Sequence, residues 1–280
     1  MKLNIFVKRE QCQTCLGYVE CREGRMKFNF KFFALLLAIA LLAGCKSEDP
    51  NFTIDVTEHF DREFALLLEE RRYIPDATKI TLADVKDLKK IDVSGLCLPD
   101  PGVPGFFRYY GKLTSLAGIE YFSALDSLNC DGNQLTVLSL NKNMLLTGLS
   151  CANNQLTTLD ISKNTALKEL YCYNNQLTTL DISENRTLTG LSCSGNKLMT
   201  LDTNKNTVLK WLFCVNNQLT TLDISKNVIL RELRCHNNPS TGGVFPVVAW
   251  FDNNSIPADF TAWNWGDLNG NVINIEYIKK

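Results

Sequence analysis

Six cysteines are spaced 21 residues apart, at Cys130, Cys151, Cys172, Cys193, Cys214 and Cys235. Thiols at that density could close three disulfides or hold a metal array. A zinc site needs a further Cys or His a few residues away, and no repeat offers one at such a spacing. Four carboxylates, Asp160, Asp181, Asp202 and Asp223, keep the same period. A row of carboxylates suggests calcium, yet Asp at a chain corner more commonly closes a local turn. Lys142, Lys163, Lys205 and Lys226 also stand nearby to offset the charge. Neither row is expected to bind metal, and no cofactor is expected. The chain has two histidines, His59 and His236, and no nucleophile, base and orienting acid fall in a recognisable motif. No glycine-rich phosphate loop is present. The expectation is a binding protein rather than an enzyme.

The period belongs to everything around the cysteines. From Leu146 the chain reads LTGLSCANNQLTTLDISKNTA, then LKELYCYNNQLTTLDISENRT, LTGLSCSGNKLMTLDTNKNTV and LKWLFCVNNQLTTLDISKNVI. A looser copy, LDSLNCDGNQLTVLSLNKNML, precedes them, and LRELRCHNNP follows. Self-similarity at a short fixed period predicts a solenoid. Within each copy the alternation L-x-C predicts a short strand with one buried face. Leu149 and Cys151 would point inward, with Ser150 and Ala152 facing out. One coil cannot bury its own apolar side, whereas stacked coils cover each Leu with its counterpart. The successive strands then form one parallel sheet.

In that sheet all six thiols hold the same inward position with parallel Cβ vectors, which is poor disulfide geometry. They are expected as reduced thiols packed as small hydrophobes. Asn133, Asn154, Asn175, Asn196, Asn217 and Asn238 recur where the chain leaves each strand. A side-chain amide there can satisfy backbone groups that a buried turn would strand. Together the two ladders are the structural frame of the predicted solenoid.

A solenoid needs caps. Phe60 to Tyr73 places Phe60, Phe64, Leu67 and Leu68 on one helical face. Thr81-Leu82-Ala83-Asp84 resembles a capping box that opens a second helix. Ile91 and Val93 alternate with Asp92 as a short strand, and Pro99 to Gly105 reads as a loop. Leu113 to Phe122 reads as a degenerate repeat. Beyond Pro239 the 21-residue register breaks. The tail holds Trp250, Trp263 and Trp265 with Phe245, Phe251 and Phe260, read as a cap over the last coil or as a small sugar-binding appendage. Val272 to Ile278 alternates as a final strand.

The helical cap, the GIEYF lead-in and the NQLTTLDISKNT coils resemble internalin-type leucine-rich repeat proteins, in their cysteine-ladder variant. The resemblance covers Phe60 to Asn238. It implies an α/β solenoid: a right-handed arc with a parallel concave sheet, a helical N-terminal cap and a β-containing C-terminal cap. It also implies display on a bacterial surface, often for adhesion, without identifying a ligand. No cell-wall sorting motif is present.

A lipobox-like segment replaces that motif. Met26 to Cys45 reads MKFNFKFFALLLAIALLAGC, with a basic start at Lys27 and Lys31 and an apolar run too short to span a bilayer. Leu42-Ala43-Gly44-Cys45 resembles the bacterial lipobox, in which the signal is cut before the lipid-bearing cysteine, here Cys45. Ser47, Glu48 and Asp49 resemble a surface-export signal. The expected location is the outer membrane, lipid-anchored and outward-facing. Residues 1–25 fit this poorly and are expected to be an over-extended start, although Cys12 and Cys15 could form a metal or redox pair. The expected domains are therefore 26–44 signal, 45–59 tether, 60–124 N-terminal cap, 125–238 repeats and 239–280 C-terminal cap. From residue 45 onward there are 22 Lys/Arg and 27 Asp/Glu. That acidic balance argues against nucleic acid as a partner.

The outward strand positions define the candidate site. Glu169, Tyr171 and Tyr173 in one coil and Trp211 and Phe213 two coils on are bulky. Between them lie Gly190, Ser192 and Ser194. Strands two apart are separated by roughly 10 Å, so the expectation is a slot with aromatic walls and a hydroxyl floor. Such a slot suits a peptide side chain or a sugar ring. Glu169 and Glu232, about 14 Å apart by strand spacing, are too distant for a glycosidase pair. The expected function is protein or glycoprotein binding, with glycan or peptide capture for an outer-membrane importer as the alternative.

Overall fold

The computed structural model describes residues 2–6, 25–29, 55–95, 97–99, 107–109, 111–239, 244–249, 251, 256, 261–262 and 274–279. The chain divides into two units, Met1–Ile54 and Asp55–Lys280. In the first, strand β1 (Lys2–Phe6) pairs antiparallel with β2 (Arg25–Asn29). Cys12, Cys15, Cys21, the lipobox with Cys45, and Trp250, Trp263, Trp265 and Phe260 lie outside the described residues.

The second unit opens with a 3-10 turn (Thr57–His59) followed by helix α1 (Arg62–Glu70). It is shorter than the apolar pattern predicts, for reasons visible at both ends. Asp61 caps it by accepting the Phe64 N–H at 3.0 Å. At the other end Arg72 turns to φ 61°, and the Tyr73 N–H reaches back to the Leu68 carbonyl at 2.8 Å, which closes the last turn. Phe60 lies outside the helix, its ring 5.9 Å from Phe64 and 6.0 Å from Phe122. The short helix α2 (Leu82–Val85) carries the predicted capping box, with Asp84 accepting from both the backbone and the hydroxyl of Thr81.

Strand β3 (Lys90–Asp92) joins the cap directly to the repeats by pairing parallel with β6 (Ser127–Asn129). Arg71 ties the helix to this strand, donating to the carbonyls of Asp92 and Ser94 at 2.6 Å each. The stretch read as a plain loop is flanked by a two-stranded hairpin, β4 (Cys97–Pro99) with β5 (Phe107–Tyr109).

Strands β7 (Gly148–Ser150), β8 (Glu169–Tyr171), β9 (Gly190–Ser192) and β10 (Trp211–Phe213) then stack in parallel. Each residue pairs with its counterpart one repeat away. A short strand β11 (Leu222–Asp223) follows at the second corner of that coil, and β12 (Glu232–Arg234) extends the stack. The Leu in each L-x-C is at most 1% exposed and each Cys of the ladder is fully covered. Every ladder thiol is free. Burial raises the pKa of all six, those of Cys193 and Cys235 to about 12.

Two asparagine ladders hold the corners. In the first, Asn175 donates to the carbonyls of Cys151 and Cys172 and accepts from the Leu156 N–H, at 3.0–3.2 Å. Asn154, Asn196, Asn217 and Asn238 repeat the arrangement, and Asn133 opens it by donating to Val93 and Cys130. The residue just before each is left-handed: Asn153, Asn174, Asn216 and Asn237 at φ 52–55°, Gly132 and Gly195 at φ 65–67°. The recurring Asn-Asn pair thus has two separate causes, since Asn and Gly tolerate that conformation best. The second ladder, Asn143, Asn164, Asn185, Asn206 and Asn227, is buried at the opposite corner and donates to carbonyls of the preceding coil.

The 21-residue spacing ends at Pro239, but the stacking does not. Strand β14 (Thr261–Ala262) pairs parallel with β12, so the main sheet runs β14-β12-β10-β9-β8-β7-β6-β3. Strands β13 (Val244–Ala249) and β15 (Asn274–Lys279) continue from β11 as a second parallel sheet. The tail therefore adds strands to both faces of the solenoid, which a fixed-spacing reading cannot see.

Candidate functional site on the strand face

Because alternate residues leave a strand on opposite sides, the face opposite the Leu and Cys core is written by the residues flanking them. Toward the C-terminal end it carries one continuous aromatic run. The rings of Tyr171 and Trp211 are 5.4 Å apart, those of Trp211 and Phe213 5.2 Å. The guanidinium of Arg234 sits 4.5 Å over Phe213, inside cation–π range. Glu232 holds that guanidinium with bonds of 2.9 and 2.6 Å. Tyr171, Trp211 and Phe213 all remain partly exposed.

This run fills the slot expected between Tyr171 and Trp211. The indole of Trp211 reaches back across Gly190, and a Cβ on Gly190 would collide with it. Gly190 and Ser192 are consequently buried, and the Ser194 hydroxyl accepts from the Val215 N–H at 3.1 Å. The expected hydroxyl floor is covered at Ser192 and half-exposed at Ser194. The physical reason is the missing side chain itself: a Gly between two aromatic coils offers space, and the larger ring occupies it.

The open groove lies on the other side of Tyr171. It encloses about 360 Å³ between the first and third coils, counting the coils from β6. Its floor is Gly148, Leu149 and Ser150. One wall is Glu169, Tyr171 and Tyr173, and the other is Ser127, Asn129 and Asp131. A Cβ on Gly148 would meet only the Ser127 hydroxyl, at 3.8 Å. Of the expected slot residues, the structure brings Glu169, Tyr171 and Tyr173 to this groove. It places Trp211 and Phe213 in the aromatic run, and Ser192 and Ser194 beneath or beside it.

Asp131 is the groove residue that the repeat pattern did not single out. The Ser150 hydroxyl donates to both its oxygens at 2.7 Å, and the Ala152 N–H donates to Oδ1 at 2.6 Å. Ala152, expected to face outward, is fully buried. Burial raises the pKa of the Asp131 carboxyl; the Ser150 and Ala152 bonds pull against that rise, and the nearby Asp92 charge adds to it. Asp92 itself is held low: burial is outweighed by bonds from Ser94 and the charge of Arg71, 3.3 Å away. Burial also raises the pKa of the Tyr171 hydroxyl, and the charge of Glu169, whose Oε2 accepts from it at 3.3 Å, adds to the rise. The signal was present in the sequence: the second coil's outward set, Gly148, Ser150 and Ala152, is as small as the fourth's, but only one neighbour is aromatic.

The carboxylates Asp160, Asp181, Asp202 and Asp223 each accept a local turn bond from the backbone two residues on, at 2.9–3.0 Å. His59 lies in the cap, its ring 5.5 Å from Tyr121.

Residues 145–186 match the family described as leucine rich repeats (2 copies). The functional domain of InlJ from Listeria monocytogenes, which includes a cysteine ladder, is 32% identical with a TM-score of 0.55. That match covers 68% of this chain and 39% of that one. The internalin InlF from Listeria monocytogenes is 21% identical with a TM-score of 0.53, over 72% of this chain and 59% of that one, and shows the fold alone. The chain thus spans less than two thirds of either. No curated protein matches the sequence.

Proposed function

We propose, from the premise that this chain carries a leucine-rich repeat solenoid of the internalin type, that it binds a protein or glycoprotein through its strand face. We further propose that Cys45 carries a lipid that anchors it to the outer membrane, with that face outward, where it serves adhesion. The single observation that carries the binding reading is the partly exposed run Tyr171–Trp211–Phe213–Arg234. Large aromatics and Arg are the residues that dominate binding energy at protein interfaces, and a contiguous, partly exposed run of them supports a partner on this face. The anchor reading rests on the lipobox-like segment alone.

Attachment of cells that carry the full chain to immobilised glycoproteins tests the binding reading. Deletion of the protein should abolish the attachment, and the Tyr171→Ala/Trp211→Ala double variant should reproduce the loss while still folding. Attachment unchanged by the double variant would overturn it. Protease shaving of intact cells tests the orientation: peptides from Leu146 to Asn227 should be released, whereas full protection beside a cleaved outward control would overturn the outward placement. Capture on a glycan array that depends on Trp211 would move the reading to glycan uptake.

A further inference from the structure

We propose that the groove between the first and third coils takes a basic side chain of the protein partner, arginine in preference to lysine. This rests on the proposed binding role of the strand face and names what one part of that face recognises.

Three features converge. The first is space. The groove encloses about 360 Å³, and its floor is low because Gly148 projects nothing into it. With strands about 4.8 Å apart, the two walls stand on backbones roughly 10 Å apart, so the gap left between side chains suits a flat group rather than a bulky one. The second is charge. Asp131 lies on one wall and Glu169 on the other, and no Lys or Arg is among the lining residues. Lys90 stands opposite Ser127 in β3, outside the lining. A carboxylate offers about four lone-pair directions. The bonds from Ser150 and Ala152 do not use all of those on Asp131. The third is the aromatic wall. Tyr171 and Tyr173 supply ring surface beside the carboxylates, and a guanidinium both stacks on such rings and donates in a fork that matches a carboxylate.

The same protein already shows this chemistry farther along the strand face, between β10 and β12. Arg234 lies over Phe213 while its nitrogens bind Glu232. There the cation is the protein's own; in the groove the carboxylates and rings are present and the lining supplies no cation. A neutral sugar would also find acceptors here, but it would leave the half-buried Asp131 charge without a cation, which is the costlier outcome.

The test is saturation-transfer NMR on the purified full chain, using Nα-acetyl-arginine amide as probe and Nα-acetyl-citrulline amide, its neutral near-isostere, as comparison. The arginine probe should bind at roughly millimolar strength and the citrulline probe at least about tenfold more weakly. Gly148→Leu, which fills the groove from its floor, and Asp131→Asn, which keeps an acceptor for Ser150 but removes the charge, should each cost about tenfold or more. Gly148→Leu should keep the thermal midpoint of the parent, Asp131→Asn should match or exceed it, and both should keep its far-ultraviolet dichroism. Equal binding of the two probes, displacement of the arginine probe by a methyl pyranoside, or no arginine binding in a folded protein would each overturn the proposal. The two readings fail separately. Arginine binding without any macromolecular attachment leaves the groove and removes the wider function. Attachment that depends on Trp211, with no arginine binding, does the reverse.

Discussion

Trp211 lies across Gly190, so that the ring occupies the volume a Cβ would need. This one contact joins the third and fifth coils over the fourth, since the indole then reaches Tyr171 at 5.4 Å. Gly190 has an ordinary backbone conformation, because it is not among the positive-φ residues. Replacing it by Ala therefore tests packing alone. Gly190→Ala should lift the indole, expose the buried Ser192 and cost about 1–3 kcal/mol. The readout is a urea midpoint together with the Trp emission, corrected by a Trp211→Phe reference. An unchanged emission would show that the ring does not rest on Gly190. Gly148→Ala, at the equivalent position, should be near neutral because its Cβ would meet only Ser127 at 3.8 Å.

Adjacent asparagines should respond in opposite ways. Asn174 holds φ 52° and is exposed, so Asn174→Gly keeps the turn, as Gly195 already does one coil on. A change within about 0.5 kcal/mol is expected. Asn175 serves two carbonyls and one amide, all buried. Asn175→Gly leaves those groups unpaired, each costing about 1–3 kcal/mol, and a loss of at least about 3 kcal/mol is expected. Denaturant titration of the two variants checks the contrast, and similar losses would refute it.

The second asparagine ladder contains an internal control. The Oδ1 atoms of Asn143, Asn164, Asn185 and Asn206 are buried without a partner among the described residues. Asn227 differs because Thr203 replaces the usual Ile or Leu one coil earlier, and its hydroxyl donates to Asn227 Oδ1 at 2.8 Å. Ile182 stands to Asn206 as Thr203 stands to Asn227. Ile182→Thr should therefore be at least as stable as Ile182→Val, although a hydroxyl in an apolar core ordinarily costs about 1–3 kcal/mol. A Thr variant less stable than the Val variant by that amount would show that the orphaned oxygen gains nothing.

How far the sequence could be read follows from which forces are periodic. The Leu and Cys columns, the two corner asparagines and the parallel register repeat every 21 residues because each coil buries its face on the next. The caps are aperiodic, so only local signals reveal them. Thr81 with Asp84 did so. The Thr261–Ala262 strand gave no such signal, because its spacing from β12 is set by a longer connection. The strand face was legible as a list of outward residues but not as a surface. Whether a Gly makes a slot or a seat depends on whether the ring one coil on lies back over it, as Trp211 does over Gly190 and Tyr171 does not over Gly148. Gly148 and Gly190 have the same neighbours in the motif and opposite fates in space.

The ladder thiols should be inert in the folded protein. Only a thiolate alkylates efficiently, and burial holds Cys193 and Cys235 near pKa 12, with the other four also raised. Iodoacetamide near neutral pH should leave all six unmodified natively and label all six after unfolding. Missing labels in the unfolded sample would mean that some are oxidised.

Asp131 predicts a trade of stability for binding, with a definite sign. Its folded pKa is raised, so between the unfolded and folded values the native state holds the extra proton. Stability from this group is present below the unfolded pKa and is lost as pH rises through the folded one. At neutral pH the charged carboxylate is therefore a cost to the fold. Asp92, held below its ordinary value by Ser94 and Arg71, works in the opposite direction, and its contribution is lost on acidification. Glu169 and Lys90 also stand nearby in the register, and Lys112 follows Gly111, whose N–H bonds the Gly132 carbonyl. Asp131→Asn removes the cost and keeps an acceptor for Ser150 and Ala152. The variant should be equal to the parent or more stable at neutral pH, and the difference should shrink as pH falls below the raised pKa. Thermal midpoints of the two proteins across the acid range check this. Arginine binding by the parent should weaken over the same interval, because the groove loses a charge there. A variant less stable than the parent at neutral pH would show that Asp131 serves the fold rather than the groove.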